Sequence, residues 1–254
     1  MIVDYHVHLE RAGITRANAM RFVEQAARRG VEELAFTEHG YNFVELAPLL
    51  EKPDYVARYG HGFCLGDYLR VVRDVARELD DAGATLKVRL GLEVDYVPET
   101  GHALRETLAG LDIDIIIGSV HWIGDWGFDL GAHTWSGRER VRACRDYFAL
   151  AAEAAASGMF DIIGHPDIVK IYGLTMGDDC RSAMGEGGAQ LVAAAAGSGT
   201  CLEVSSAGLR RPVAEIYPGL GLLKAACAAG VGITLASDAH EPEECGLGLV
   251  EAAE

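Results

Sequence analysis

The chain has 254 residues, half of them hydrophobic and 24% charged, a composition that suits a globular protein with one large core or two small ones. Its formal net charge of −16 repels phosphate backbones, so a nucleic-acid partner is not expected. The Ala-rich stretches at 149–156 and 193–196 are too short to cross a bilayer, and six cysteines without a CxxC pair behind a strand-like Met-Ile-Val-Asp start predict reduced thiols in a cytoplasmic protein.

Short β-branched runs alternate with amphipathic helical segments along the whole chain. The first run is Ile2–His8, followed by a helix over Asn18–Arg29 that stops at Gly30. The second run, Glu33–Thr37, leads into an aromatic and Pro-containing loop over Tyr41–Gly66 and a helix over Asp67–Asp81. The third run is Leu86–Val94, with a helix over Pro98–Leu108 after it. The fourth is Ile113–Val120, then a Gly/Trp-rich loop and a helix over Arg138–Ser157. The fifth is Phe160–Gly164, followed by a helix over Gly187–Ala196. The sixth is Thr200–Ser205, followed by a helix over Gly219–Ala229, and the seventh is Gly232–Ser237. Strict alternation predicts parallel strands. Near-continuous apolar runs such as Ile113–Ile117 predict a sheet covered on both faces. An open doubly wound sheet and a closed barrel both fit, although no GxGxxG follows the first strand to mark a dinucleotide fold. No linker divides the chain, so residues 1–254 read as a single domain.

Ligand-type residues gather at the ends of these runs. Of nine histidines, His6, His8, His39, His121, His165 and His240 stand at or just past a strand end, with Glu93 and Asp238; His61, His102 and His133 are scattered elsewhere. In a parallel barrel such positions share one rim, the rim on which active sites are built. Singly, each has an ordinary explanation. His6 and His8 share a strand face, Asp238 is of a helix-capping type, and Glu93 has Arg89 nearby. Together they need a common cause. Imidazoles and carboxylates bind Zn, Mn and Fe, and eight exceed the three or four protein ligands of one catalytic ion. Two or three divalent ions (Zn, Mn or Fe) are therefore expected, with Glu93 bridging.

Clustered ions suit phosphate ester hydrolysis, because they neutralise phosphate charge and lower the pKa of bound water to about 7, giving a hydroxide nucleophile. No GxSxG elbow competes for the role. Arg145, Arg210 and Arg211 are candidates for gripping the phosphate, since a guanidinium fork binds it bidentately. Other classes remain open. A metal-dependent amidohydrolase would need a lone or paired metal, often with a carboxylated lysine, and Lys52, Lys87, Lys170 and Lys224 do not clearly end a strand. A non-catalytic metal-binding protein would fit a degraded ligand set.

The motifs His6-Val7-His8, Thr37-Glu38-His39, Gly91-Leu92-Glu93, Ser119-Val120-His121, Gly164-His165-Pro166-Asp167 and Ser237-Asp238-Ala239-His240 resemble the ordered motifs of the PHP (polymerase and histidinol phosphatase) superfamily. The stretches 118–129 and 207–218 are similar to its monofunctional histidinol-phosphate phosphatases. The resemblance implies a distorted (β/α)7, TIM-barrel-like fold with a trinuclear centre at the C-terminal ends of the strands. It places His6, His8, Glu93 and Asp238 on a first metal, Glu93, His121 and His165 on a second, and His39 and His240 on a third. Glu93, Asp238 and His240 then form the catalytic set. The family usually adds a His or Asp several residues after the HxH pair; here 10–15 read Glu-Arg-Ala-Gly-Ile-Thr, with Glu10 the nearest substitute.

The implied substrate is a small phosphate monoester, L-histidinol phosphate, hydrolysed to L-histidinol and phosphate in histidine biosynthesis. Another small phosphate ester or a nucleotide is the alternative. Asp125, Asp129 and Glu241 are acidic positions suited to an ammonium and an imidazole. Trp122 and Trp126 either stack on the imidazole or pack as a lid.

Overall fold

A computed structural model describes residues 1–50 and 62–253; Lys52 and His61 lie outside them. The strands are β1 (Val3–Val7), β2 (Glu33–His39), β3 (Lys87–Asp95), β4 (Ile115–Ser119), β5 (Trp122–Ile123), β6 (Trp126–Gly127), β7 (Ile162–Ile163), β8 (Cys201–Ser205) and β9 (Ile233–Ala236). One seven-stranded sheet runs β1-β2-β3-β4-β7-β8-β9, and β5-β6 is a separate hairpin. Strand pairs β1–β2, β2–β3 and β7–β8 are parallel. Each core strand is followed by helical structure, the (β/α)7, TIM-barrel-like arrangement expected. Among the described residues no helix is long and apolar enough to cross a membrane.

The chain forms two compact units, Met1–Ile117 with Leu235–Glu254, and Gly118–Thr234. In the first, helix α1 (Arg16–Arg28) begins where the Thr15 hydroxyl accepts the Asn18 N–H, and it buries Ala19, Phe22, Val23 and Ala26, an apolar stripe at helical spacing. The expected loop after β2 contains the short helix α2 (Ala47–Leu50) in its described part. Helix α3 (Leu65–Asp81) follows, and its Tyr68 is fully buried. Its hydroxyl lies 2.7 Å from the Phe36 carbonyl and 2.8 Å from that of Gly91, and it accepts the Glu38 N–H at 3.3 Å. One side chain thus ties α3 to β2 and β3. Helix α4 (Gly101–Ala109) follows β3. The fourth strand starts two residues later than expected. Asp114 is held outside it, its carboxylate accepting the Leu90 N–H at 2.8 Å.

In the second unit the Gly/Trp-rich loop carries the hairpin β5-β6, with register Trp122↔Gly127. Helix α5 (Arg140–Ala156) packs along α6 (Asp178–Ser198). The sequence placed this helix over 187–196; it begins nine residues earlier, at Asp178, and ends two residues later, at Ser198. Gly187 within it has a packing reason. A Cβ on Gly187 would lie 2.4 Å from Phe148 Cβ, so glycine permits close helix approach. Asp178 and Asp179 in the first turn favour the positive helix end, and Gly199, at φ 81°, ends the helix. Helix α7 (Leu220–Ala228) precedes β9. Helix α8 (Leu249–Ala253), which the sequence reading lacked, belongs to the first unit.

Candidate metal centre

Strand β1 alternates, so His6 and His8 point to one face while Val7 points to the other. The segment after β9 runs beside it: His8 N–H donates to the Ala239 carbonyl at 2.8 Å and Ala239 N–H to that of His6 at 3.3 Å. That pairing carries Asp238 and His240 alongside the histidines. On the other side of β1, the parallel β2–β3 register sets His39 opposite Glu93. Gly91, two residues before Glu93, has no room for a side chain. A Cβ there would stand 2.7 Å from the Ile115 carbonyl and from Thr37 Cγ2.

The result is one tight cluster in the first unit. Glu93 Oε2 lies 2.5 Å from His39 Nδ1, 3.4 Å from His6 Nε2 and 3.7 Å from His8 Nε2, and Asp238 Oδ1 lies 3.5 Å from His8 Nε2. His8 stacks on His39 at 4.0 Å and on His240 at 4.4 Å between ring centroids. His6, His8 and Glu93 are at most 2% exposed. Two ordinary explanations fall away. Arg89 pairs with Glu33 at 2.9 Å, so it is not the partner of Glu93. The nearest following helical turn has Glu241 and not Asp238 at its N-cap position, and Asp238 faces the histidines instead.

Two buried carboxylates that the sequence reading did not single out hold this cluster in place. Glu38 accepts the N–H of Leu9 (2.8 Å), that of His39 (2.9 Å) and the Asn42 amide (2.9 Å), and it stands 3.8 Å from His8 Nδ1. It therefore orients the ring from the side away from Glu93 and Asp238, as outer-shell carboxylates orient ligating histidines. Asp4 accepts from Ser237 N (2.8 Å), Ser237 Oγ (2.6 Å) and Gly246 N (2.8 Å), anchoring the segment that carries Asp238. Asp238 sits at φ 51°, a left-handed backbone that costs a non-glycine residue about 1–3 kcal/mol and that surrounding structure must enforce. The sequence signal for both was available: an acidic residue two before or one before a motif histidine, inside an apolar strand.

The electrostatics show what this arrangement lacks. Burial disfavours a charged His8, yet Asp238 and Glu38 outweigh it and carry its pKa up to about 10. Burial would raise Asp238, but the bond from His8 and the surrounding imidazoles hold it well below the usual carboxylate range. Burial together with the His8 charge pushes His39 and His240 down. The carboxylates thus favour positive charge beside them. A divalent cation supplies that charge more fully and suits neutral imidazoles beside carboxylates. The donor atoms of His6, His8 and Asp238 lie within 4.8 Å of one another, as do those of His8, His39 and His240. The residues fit a metal.

In the second unit His121 and His165 approach to 5.0 Å between ring centroids and are 4% and 1% exposed. His165, at φ 27°, is clamped from both sides. Its N–H donates to Glu203 at 3.0 Å, and its carbonyl accepts the Tyr147 hydroxyl at 3.2 Å. Arg210 ends the short 3-10 turn Ser206–Arg210 after β8 and is half-buried, while Arg211 and Arg145 are exposed. Trp126 packs edge-on against Trp135 at 4.8 Å and lies under the Arg138 guanidinium at 4.7 Å. Trp122 and Trp126 are both buried, which matches the packed-lid alternative. Asp125 is exposed, and Glu241 pairs with Arg11 at 3.5 Å in the first unit.

Comparison with known proteins agrees with this geometry. The model for the PHP domain matches residues 4–207. A curated relative from Deinococcus radiodurans, named a probable histidinol-phosphatase, is 34% identical over 99% of this chain and 91% of its own length. The HisK chain from Listeria monocytogenes superposes with a TM-score of 0.82 at 18% identity, covering 98% of both chains. Histidinol phosphate phosphatase from Lactococcus lactis subsp. lactis, solved with Zn, L-histidinol and phosphate, superposes with a TM-score of 0.74 at 22% identity, over 99% of this chain and 91% of that one. The two superpositions establish the fold, and the family match with the Deinococcus relative establishes the lineage: this chain belongs to the PHP domain family.

Proposed function

We propose that this protein is a metal-dependent phosphatase that hydrolyses L-histidinol phosphate to L-histidinol and phosphate, working in the cytoplasm on a small phosphorylated molecule. The observation that carries this is the buried convergence of His6, His8, His39, Glu93, Asp238 and His240 at strand ends, with imidazole and carboxylate donor atoms within reach of one another. The choice of substrate is supported by the Deinococcus relative's name and by the ligands of the Lactococcus protein. His6, His8, Glu93 and Asp238 would hold a first ion, and His39 and His240 part of another. On the family resemblance alone, His121 and His165 are assigned to a further one.

Bound divalent ions would hold phosphate oxygens and acidify the attacking water. The remaining work falls to the protein. Glu38 fixes the His8 ring, Asp4 braces the segment that presents Asp238, and Glu203 with Tyr147 holds the strained His165 backbone. Arg210 is assigned to the phosphate, ahead of the exposed Arg145 and Arg211.

The test is phosphate release from L-histidinol phosphate and a panel of monoesters by metal-stripped protein, with Mn, Zn or Fe restored in turn. Release fastest from L-histidinol phosphate is expected. Glu93→Gln should abolish release and reduce bound metal, and full activity in that variant refutes the bridging role. The amidohydrolase alternative has less to stand on. Lys170 is buried, but its ammonium is held by Asp167 at 2.9 Å and Glu215 at 3.2 Å, which leaves no free amine to carboxylate. Lys87 is bound to Asp80 at 2.6 Å.

A further inference from the structure

We infer that Cys144 and Cys180 form a reversible redox site, at which a low-molecular-weight disulfide oxidises the pair to an intrachain disulfide that fastens α5 to α6. Both thiols are free in the structure, and neither is among the candidate metal ligands. Cys144 stands in the second turn of α5 and Cys180 in the first turn of α6. With Ala183 they form one buried cluster, against which Val141 and Met184 pack. The two thiols are within hydrogen-bonding contact across the helix seam.

The same seam continues along both helices. Phe148, one turn beyond Cys144, packs on Gly187, two turns beyond Cys180, where a Cβ would lie 2.4 Å from Phe148 Cβ. Ala183 and Gly187 thus keep the helices close, and small side chains around the sulfurs let them approach to the bonded separation of about 2 Å.

Access is one-sided. Cys180 borders an open cleft of about 510 Å³, with Arg140, Leu174 and Asp179 among its walls. Cys144 is fully buried. Cys180 is therefore the thiol that an oxidant meets. Its sulfur, deprotonated, attacks one sulfur of the incoming disulfide. That S–S bond breaks, and the first half leaves as a thiol with the proton that Cys180 gave up. Cys144 then loses its proton, and its sulfur attacks that of Cys180 in the mixed disulfide. The second half leaves as a thiol with that proton. The two cysteines are oxidised by two electrons, and one small disulfide is reduced to two thiols.

Burial and the neighbouring Cys180 push the Cys144 thiol up to about 12, so only about one in ten thousand is ionised at pH 8. Contact offsets that scarcity, because well-oriented groups react as if at effective concentrations of about 10⁵ M or more. Cys144 is slow toward reagents from outside and competent toward the sulfur beside it. Disulfides of cytosolic proteins are mostly transient and redox-sensing, and a bond next to an open cleft is reached by reductant along the same path.

The experiment incubates reduced full-length protein with oxidised glutathione, quenches with acid, and maps peptides without reductant. The expected product is a Cys144–Cys180 cross-linked peptide lighter by two hydrogens, which dithiothreitol reopens. Cys144→Ala should instead accumulate glutathione on Cys180, and Cys180→Ala should leave Cys144 unmodified. The oxidised wild type should melt roughly 4–16 °C above the reduced form, the range expected of a disulfide that closes a long loop. Wild type that carries glutathione on Cys180 without the cross-link overturns the pairing, as does a cross-link that forms only after unfolding in urea. A cross-link without a rise in melting temperature overturns the fastening of α5 to α6. The wild-type peptide map decides the bond whether or not the variants fold.

Discussion

Replacing Tyr68 with Phe removes one oxygen from a fully buried site and disturbs two strands at once. The hydroxyl donates to the Phe36 or Gly91 carbonyl and accepts from Glu38 N–H. Losing a neutral donated bond costs about 1 kcal/mol, and depriving a buried N–H of its acceptor costs about 1–3 kcal/mol. The sum is about 2–4 kcal/mol. At about 2–4 °C per kcal/mol for a chain of this size, the melting temperature should fall by roughly 4–16 °C. Urea unfolding should show a lower midpoint with an unchanged slope, because the surface exposed on unfolding stays the same. Glu38 and Glu93 sit beside the affected backbone, so divalent-ion affinity should fall as well. Tyr5→Phe is the control. Its half-exposed hydroxyl donates to Glu33 at 2.6 Å, where water replaces the loss. A Tyr68→Phe loss below about 0.5 kcal/mol, or one equal to the Tyr5→Phe loss, refutes the bracing role.

Lys170→Met strips a buried ammonium from Asp167 and should destabilise by about 3–5 kcal/mol; chemical denaturation of the Asp167→Asn/Lys170→Met double variant should recover part of it, and strict additivity would count against the pair. Gly91→Ala forces a Cβ to within 2.7 Å of the Ile115 carbonyl and should cost about 1–3 kcal/mol, whereas Gly101→Ala, with nothing within 4 Å, should be neutral or stabilising in the same melt. Burial, with Cys180 alongside, pushes the Cys144 thiol up to about 12. At pH 8 its thiolate fraction is then about one in ten thousand, and it rises with pH. Timed alkylation followed by peptide mass spectrometry should therefore label the exposed Cys64 and Cys227 long before Cys144, and equal rates would contradict that environment.

Much of the architecture was legible from the order of residues. The seven apolar runs became the seven strands of the main sheet because alternating burial and β-branching leave few other ways to hide those side chains. His6, His8, His39, Glu93, Asp238 and His240 were legible as a set because strand ends in a parallel sheet recur on one rim, so placement in sequence becomes placement in space. The first nine residues of α6 were not legible, and a sequence cannot show that Gly187 within that helix faces Phe148 across a helix contact. Arg145 also looked promising by position, but helical phase sets it on the exposed side of α5, away from the buried Cys144, Tyr147 and Phe148.

The sequence by itself determined the strand–helix alternation, the gathering of ligand-type residues at strand ends and the family, because these follow from residue type and spacing along the chain. Only the tertiary structure decided which carboxylates orient the histidines. Glu10, Glu38 and Asp4 look alike as acidic residues near motifs. Their surroundings differ because hydrogen bonds from distant backbone commit Glu38 and Asp4, while a turn pinned by Asn18 sets Glu10 Oε1 3.6 Å from His240 Nε2.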